Sequence, residues 1–133
     1  MEIQYSESKI FSREELFALF DSVGWLSAKY SERLVRALSG SSTVFSAWDG
    51  EKLVGLINAL DDGELTAYIH YLLVAPEYHG LGIGKHLALS MRNKYCDYLY
   101  VVLIAENAES IGFYEKLGFK LTIGATPLDI THY

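Results

Sequence analysis

The sequence predicts a mixed α/β sheet with helices on its faces. Three observations lead there. Two helical periodicities fill the first third of the chain. Apolar β-branched runs separated by Asp-Gly turns follow. The last part alternates strand, helix, strand, helix and strand. A length of 133 residues suits one domain, 1–133, with a single core.

The elements are justified in order. Residues 3–5 form a short first strand. Ser12-Arg13-Glu14-Glu15 reads as a capping box, and Leu16, Leu19, Phe20 and Val23 recur at helical spacing before Gly24. Residues 25–30 read as a loop with two aromatics. A second helix, residues 31–38, stops at Gly40. Residues 43–48 are a strand that meets Asp49-Gly50, a two-residue hairpin signal, and residues 53–60 return. Asp61-Asp62-Gly63 turns the chain into a long strand over 64–74. A helix carrying Ile83, Leu87 and Met91 on one face ends in Arg92 and Lys94. The β-branched run 98–104 reads as a buried strand. Asn107 caps a helix over 108–117, stopped by Gly118, and 119–123 reads as a final strand.

Composition excludes several classes. The chain is 50% hydrophobic and 21% charged, the composition of an ordinary globular domain. Its net charge of −6 argues against a nucleic-acid-binding face and fits steering of a cationic small substrate. No apolar run approaches the length of a membrane span, and the N-terminus lacks a basic-then-apolar leader. The lone Cys96 forms no intrachain disulfide, so a cytoplasmic chain is expected. With no activating partner in view, Cys96 reads as an incidental thiol. The four histidines and Cys96 show no metal-ligand spacing, and no metal is expected.

The most informative segment is Val74-Ala75-Pro76-Glu77-Tyr78-His79-Gly80-Leu81-Gly82-Ile83-Gly84-Lys85. An apolar strand runs into a glycine-rich turn that opens directly into a helix. Such a junction leaves backbone N–H groups free at a helix N-terminus, where they hold phosphate or pyrophosphate. A plain tight turn is the alternative reading of the glycines alone.

His79-Gly80-Leu81-Gly82-Ile83-Gly84 resembles the acyl-CoA signature Gln/Arg-x-x-Gly-x-Gly/Ala of the GNAT superfamily of acetyl-CoA-dependent N-acetyltransferases, with His79 in place of the usual Gln or Arg. The second likeness is Asn107, seven residues before Tyr114, in a run Phe113-Tyr114-Glu115-Lys116-Leu117-Gly118-Phe119. The resemblance is strong from Leu53 to Phe119. It implies the GNAT fold, a mixed and mostly antiparallel sheet with a splayed central strand and helices on both faces. Within the superfamily the motifs are most similar to the arylalkylamine N-acetyltransferase branch, which carries His-x-His where this chain has Tyr68-Ile69-His70.

The resemblance implies acetyl-CoA as co-substrate and a primary amine, expected on a small molecule, as acceptor. Such an amine has a pKa of about 10.4 and is almost wholly protonated at pH 7, so a base helps. His70 is the candidate base, with a hydrogen-bonded core histidine as the alternative. Strand parity places Tyr68, His70 and Leu72 on one face. Tyr114 is the candidate acid for the departing thiolate; packing of a helix aromatic on the sheet is the alternative. Leu72, Leu73 and Val74 are expected to hold pantetheine, with an oxyanion donor at the Leu73 or Val74 N–H and a bulge nearby. His79, Gly80, Leu81, Gly82, Ile83, Gly84 and Lys85 are expected around the phosphates, although a solvated Lys85 fits equally. Asn107 is expected to reach the pantetheine arm while capping its helix. Trp25, Tyr30 and Tyr68 line the acceptor pocket or belong to the core. Other readings are acetylation of a protein N-terminus or lysine, and a non-catalytic acyl-CoA sensor. A homodimer is a further expectation: residues 123–133 are apolar and Tyr-rich, and either form an interface or complete the core.

Overall fold

The computed structural model describes residues 2–133, which fall into two compact units, residues 2–102 and Leu103–Tyr133. The first holds a five-stranded sheet in the order β1 (Gln4–Ser6), β2 (Thr43–Asp49), β3 (Lys52–Asp61), β4 (Thr66–Val74) and β5 (Tyr100–Val102). Neighbours run antiparallel except β4 and β5, which are parallel. Helices α1 (Arg13–Ser22), α2 (Ser31–Ser39) and α3 (Ile83–Lys94) complete this unit.

Local chemistry sets the helix ends. Ser12 Oγ accepts from the Glu15 N–H at 3.0 Å while Glu15 Oε1 accepts from the Ser12 N–H at 2.8 Å, the reciprocal capping box that starts α1. The helix ends in a Schellman pair: Trp25 N donates to Phe20 O at 3.2 Å and Gly24 N to Asp21 O at 2.9 Å. Gly24 sits at φ 73°, a conformation that glycine adopts without a Cβ clash. Residues 25–30, expected as a loop, contain a 3₁₀ helix, Leu26–Tyr30.

Helices cover both faces of the sheet, as expected. A Cβ built on Gly55 would lie 3.3 Å from Ile83 and Leu87, so α3 packs on the face that Gly55 presents. Phe20 of α1 meets Tyr71 of β4 on the opposite face, ring centroids 5.0 Å apart. Buried Leu16, Leu19 and Phe20 fill one core layer, and Ile83, Leu87, Ala88 and Met91 fill the other.

Three expectations are corrected. The hairpin loop is Gly50-Glu51 rather than Asp49-Gly50, because Asp49 pairs with Lys52. The run 98–104 is not a buried strand. It contributes only Tyr100–Val102 at the sheet edge, with Leu99, Tyr100 and Val102 exposed. An apolar, β-branched run reads the same whether a strand is paired on both edges or on one. Residues 119–123 form no strand, and Leu121 and Ile123 are exposed. An extended apolar run becomes a strand only where another strand pairs with it.

The second unit carries α4 (Ala108–Glu115), capped by Asn107, whose Oδ1 accepts from the Ser110 N–H at 2.9 Å.

Candidate active site

β4 changes character along its length. Its first residues are paired on both sides: Thr66, Ala67 and Tyr68 oppose Tyr100, Val101 and Val102 of β5, while Ala67, Tyr68 and Ile69 oppose Asp61, Leu60 and Ala59 of β3. The pairing with β5 stops at Tyr68. Just beyond, the register with β3 slips: Ile57 opposes Leu72 but Ala59 opposes Ile69. Two residues, His70 and Tyr71, therefore face the single residue Asn58, which is a β-bulge.

The bulge redirects both side chains and backbone. Adjacent residues on a regular strand point to opposite faces, yet the rings of His70 and Tyr71 stack at 4.0 Å. The His70 and Tyr68 rings lie 5.6 Å apart. Tyr71 also meets Trp25 at 5.9 Å, and its hydroxyl lies 3.0 Å from Ser27 Oγ. Tyr68, His70, Tyr71, Trp25 and Phe20 thus form one aromatic cluster. The expected parity of Leu72 with Tyr68 and His70 is broken, because Leu72 opposes Ile57 on the α3 face.

The backbone beyond the bulge follows from the ladder. Ala75 N donates to Val54 O at 2.8 Å, so Ala75 and Val54 are a hydrogen-bonded pair. Pairs alternate in an antiparallel ladder. Leu73 and Leu56 are then the next bonded pair, and the backbone groups of Leu72 and Val74 point away from β3. Among the described residues, no strand pairs with that edge after Tyr68. His79 Nε2 lies 2.8 Å from the Val74 carbonyl, which leaves the Leu72 and Val74 N–H groups and the Leu72 carbonyl on the edge. Of the two expected donors, Leu73 turns its N–H to β3, and Val74 turns outward.

The strand leads through a 3₁₀ turn, Pro76–Tyr78, into Gly80 at φ 79° and Gly82 at φ 80°. Gly82 is the N-cap of α3 and supplies no capping side chain. The first intrahelical bond is His86 N to Gly82 O at 3.0 Å, so the N–H groups of Ile83, Gly84 and Lys85 have no partner within the helix. A Cβ at Gly80 or Gly82 would meet nothing within 4 Å. An open approach to free donors at the positive end of a helix dipole suits an anionic group.

Burial against its aromatic neighbours lowers the His70 pKa below the usual 6.5, although the residue as a whole is exposed. Tyr68 is pushed up by burial and by Tyr71. Tyr30 carries the Arg33 guanidinium 5.8 Å above its ring. Exposed Leu81 and Lys85 flank the glycine turn.

In the second unit, Tyr114 is held by the same motif that ends α1. Phe119 N donates to Tyr114 O and Gly118 N to Glu115 O, each at 3.1 Å, with Gly118 at φ 98°. The Tyr114 and Phe119 rings meet edge to face at 5.5 Å. The run from Tyr114 to Gly118-Phe119 is thus a helix terminus that fixes Tyr114. Burial and, secondarily, Glu106 push its pKa up to about 12, so the phenol keeps its proton at neutral pH.

The profile of the acetyltransferase (GNAT) family matches residues 8–119. The chain belongs to that family. It is 32% identical over 124 residues to the uncharacterised N-acetyltransferase ycf52 of Pyropia yezoensis, covering 89% of this chain and 70% of that one. It is 37% identical over 62 residues to the glucosamine 6-phosphate N-acetyltransferase of Trypanosoma brucei brucei, 44% of this chain and 40% of that protein. A GNAT-family acetyltransferase from Streptococcus pneumoniae superposes with a TM-score of 0.85 at 30% identity, covering 98% of each chain. The protein is accordingly an acetyltransferase of the GNAT fold, and its family generally uses acetyl-CoA.

Sequence reading of this acetyltransferase missed Tyr71, Phe20, Ser27 and Asn58. Tyr71 was invisible because alternation assigns it to the opposite face from His70. Asn58 gave a readable signal, an amide inside the otherwise apolar run 53–60. Among the described residues, no cluster of potential metal ligands occurs and no helix is long and apolar enough to cross a membrane.

Proposed function

We propose that the protein transfers the acetyl group of acetyl-CoA to a primary amine on a small molecule, by direct attack while both substrates are bound. The observation that carries this reading is the outward-facing β4 edge at Leu72 and Val74, flanked by the aromatic cluster at Tyr68, His70, Tyr71 and Trp25. The edge donors suit an extended amide-bearing arm, as an added strand would. The free N–H groups of Ile83, Gly84 and Lys85 suit its pyrophosphate, with Gly80, Leu81 and Gly82 leaving room for approach. Acetyl-CoA supplies an activated thioester. The Val74 N–H is a preorganised donor for the carbonyl oxygen as charge develops, worth about 3 kcal/mol in comparable sites.

His70 accepts a proton from the acceptor ammonium, directly or through water; its lowered pKa keeps the ring neutral at pH 7. Tyr114, protonated at that pH, is the proton donor to the leaving thiolate, a role assigned on its family motif. Asn107, on the same motif, contacts the pantetheine arm. Trp25, Tyr30 and Tyr68 form the acceptor wall, to which the cluster adds Tyr71 and Phe20. We read residues 1–133 as a single catalytic domain, a reading supported by the family profile over residues 8–119. A small amine is favoured by these aromatic surfaces and by the named sugar-amine activity of the T. brucei brucei relative. The likeness of Tyr68-Ile69-His70 to the arylalkylamine branch puts arylalkylamines first among acceptors to try.

The test is thiol release from acetyl-CoA with arylalkylamines, amino sugar phosphates, polyamines and short peptides, against an enzyme-free control. Release that depends on a small amine is expected. Release with peptides alone would overturn the acceptor class. Acetyl-CoA binding without release for any acceptor would favour a sensor.

A further inference from the structure

We infer that Asn58 is a positioning residue, clamping the β4 bulge so that Leu72 and Val74 turn to the open edge and His70 and Tyr71 share one face. Asn58 sits in β3 and is 3% exposed. Its Oδ1 accepts the Tyr71 N–H at 2.9 Å. That N–H would meet the backbone carbonyl opposite it if the ladder were regular; the side-chain amide takes its place. Asn58 Nδ2 donates to Ser41 Oγ at 3.1 Å, and Ser41 Oγ donates to the Ala37 carbonyl in α2 at 2.9 Å. The amide is therefore oriented from both ends, and the relay ties the bulge to the last turns of α2.

A purely apolar residue at 58 would suit the apolar run of β3 in hydropathy. It would leave the Tyr71 N–H unsatisfied, and a buried orphan donor is unfavourable enough to move the bulge. Every one-residue shift of the bulge exchanges inward and outward groups for the residues it passes. Leu72 and Val74 would lose their outward N–H groups to Tyr71 and Leu73, and Tyr71 would leave the aromatic cluster. One amide thus controls both the cofactor edge and the acceptor wall. The consequence for acetyl-CoA rests on the proposed function; the clamp itself does not.

The experiment uses the full chain, ¹⁵N-labelled, as wild type, Asn58→Leu, Asn58→Asp and Ser41→Ala. Amide hydrogen exchange at Tyr71 reads the clamp, and calorimetric titration with acetyl-CoA reads the edge. Asn58→Leu is expected to speed Tyr71 exchange about tenfold or more relative to Leu56 and Leu73, and to weaken acetyl-CoA binding by about tenfold. Asn58→Asp keeps an acceptor for the Tyr71 N–H and should restore most of both. If Asn58→Leu does not fold, Ser41→Ala, which frees only the far end of the amide, should show the same two changes at smaller size. Unchanged Tyr71 exchange in the folded variants would overturn the clamp. Faster exchange with unchanged acetyl-CoA affinity would overturn its control of the edge. A wild type that fails to bind acetyl-CoA would instead overturn the proposed function, and the exchange data would still decide the clamp.

Discussion

The two halves of β4 belong to one strand and differ in how their edges are paired. Residues 66–68 are hydrogen-bonded on both edges and serve the sheet; Leu72 and Val74 are bonded on one side of the strand only by their neighbours and turn their own groups outward. Thr66-Ala67-Tyr68 is the more polar of the two triplets and Leu72-Leu73-Val74 the more apolar, yet both read as strand material, and neither composition says which edge is paired. One extra residue at His70-Tyr71 makes the difference, by reversing the alternation midway. An outward-facing edge is made here by a fault in pairing, held by one side-chain amide.

The largest effect tests the proposed acid. Tyr114→Phe should lower kcat about 10²- to 10⁴-fold while acetyl-CoA affinity, measured by calorimetry, holds. Equal loss of affinity would reduce Tyr114 to a binding or packing residue. His70→Gln should lower kcat/KM by about 10²-fold. The pH profile gives a sharper signature. Protonated His70 cannot accept a proton, so wild-type activity rises with pH through its pKa. Burial lowers that pKa, and the acid limb should therefore lie below pH 6.5 and vanish in the variant. Tyr114, at about 12, should add no alkaline limb near neutrality.

Gly82→Ala should weaken both folding and acetyl-CoA binding. The residue sits at φ 80° in open space, so the effect is backbone strain of about 1–2 kcal/mol rather than a clash with neighbours. Thermal melts with and without acetyl-CoA would check it. The smallest effect belongs to Tyr71, whose ring meets Phe20, Trp25 and His70. Tyr71→Phe removes the 3.0 Å contact with Ser27 and should raise the acceptor KM only a few-fold, on the order of 1 kcal/mol or less.

Much of this molecule was legible in its residues. The Ser12–Glu15 capping box, the glycine turn before α3 and the Asn107 cap each stand where the pattern put them, because each is a local signal satisfied within four residues. The run from Tyr114 to Gly118-Phe119 was read as a motif, and its geometry gives the reason: it is a Schellman terminus that pins Tyr114. What failed was non-local. The run 98–104 looked buried because composition cannot report how many neighbours a strand has. Residues 119–123 lacked a pairing strand. Leu72 was placed on the face of Tyr68 and His70 because period-two counting assumes an unbroken ladder, and the break at His70-Tyr71 depends on Asn58, thirteen residues before Tyr71.

The central claim is that the half of β4 beyond the bulge receives acetyl-CoA. The direct measurement is amide exchange along β4 in ¹⁵N-labelled protein, with and without saturating acetyl-CoA. Selective protection at Leu72 and Val74, with residues 66–68 unchanged, is the predicted result. Bound acetyl-CoA that leaves Leu72 and Val74 exchanging as before would contradict the account.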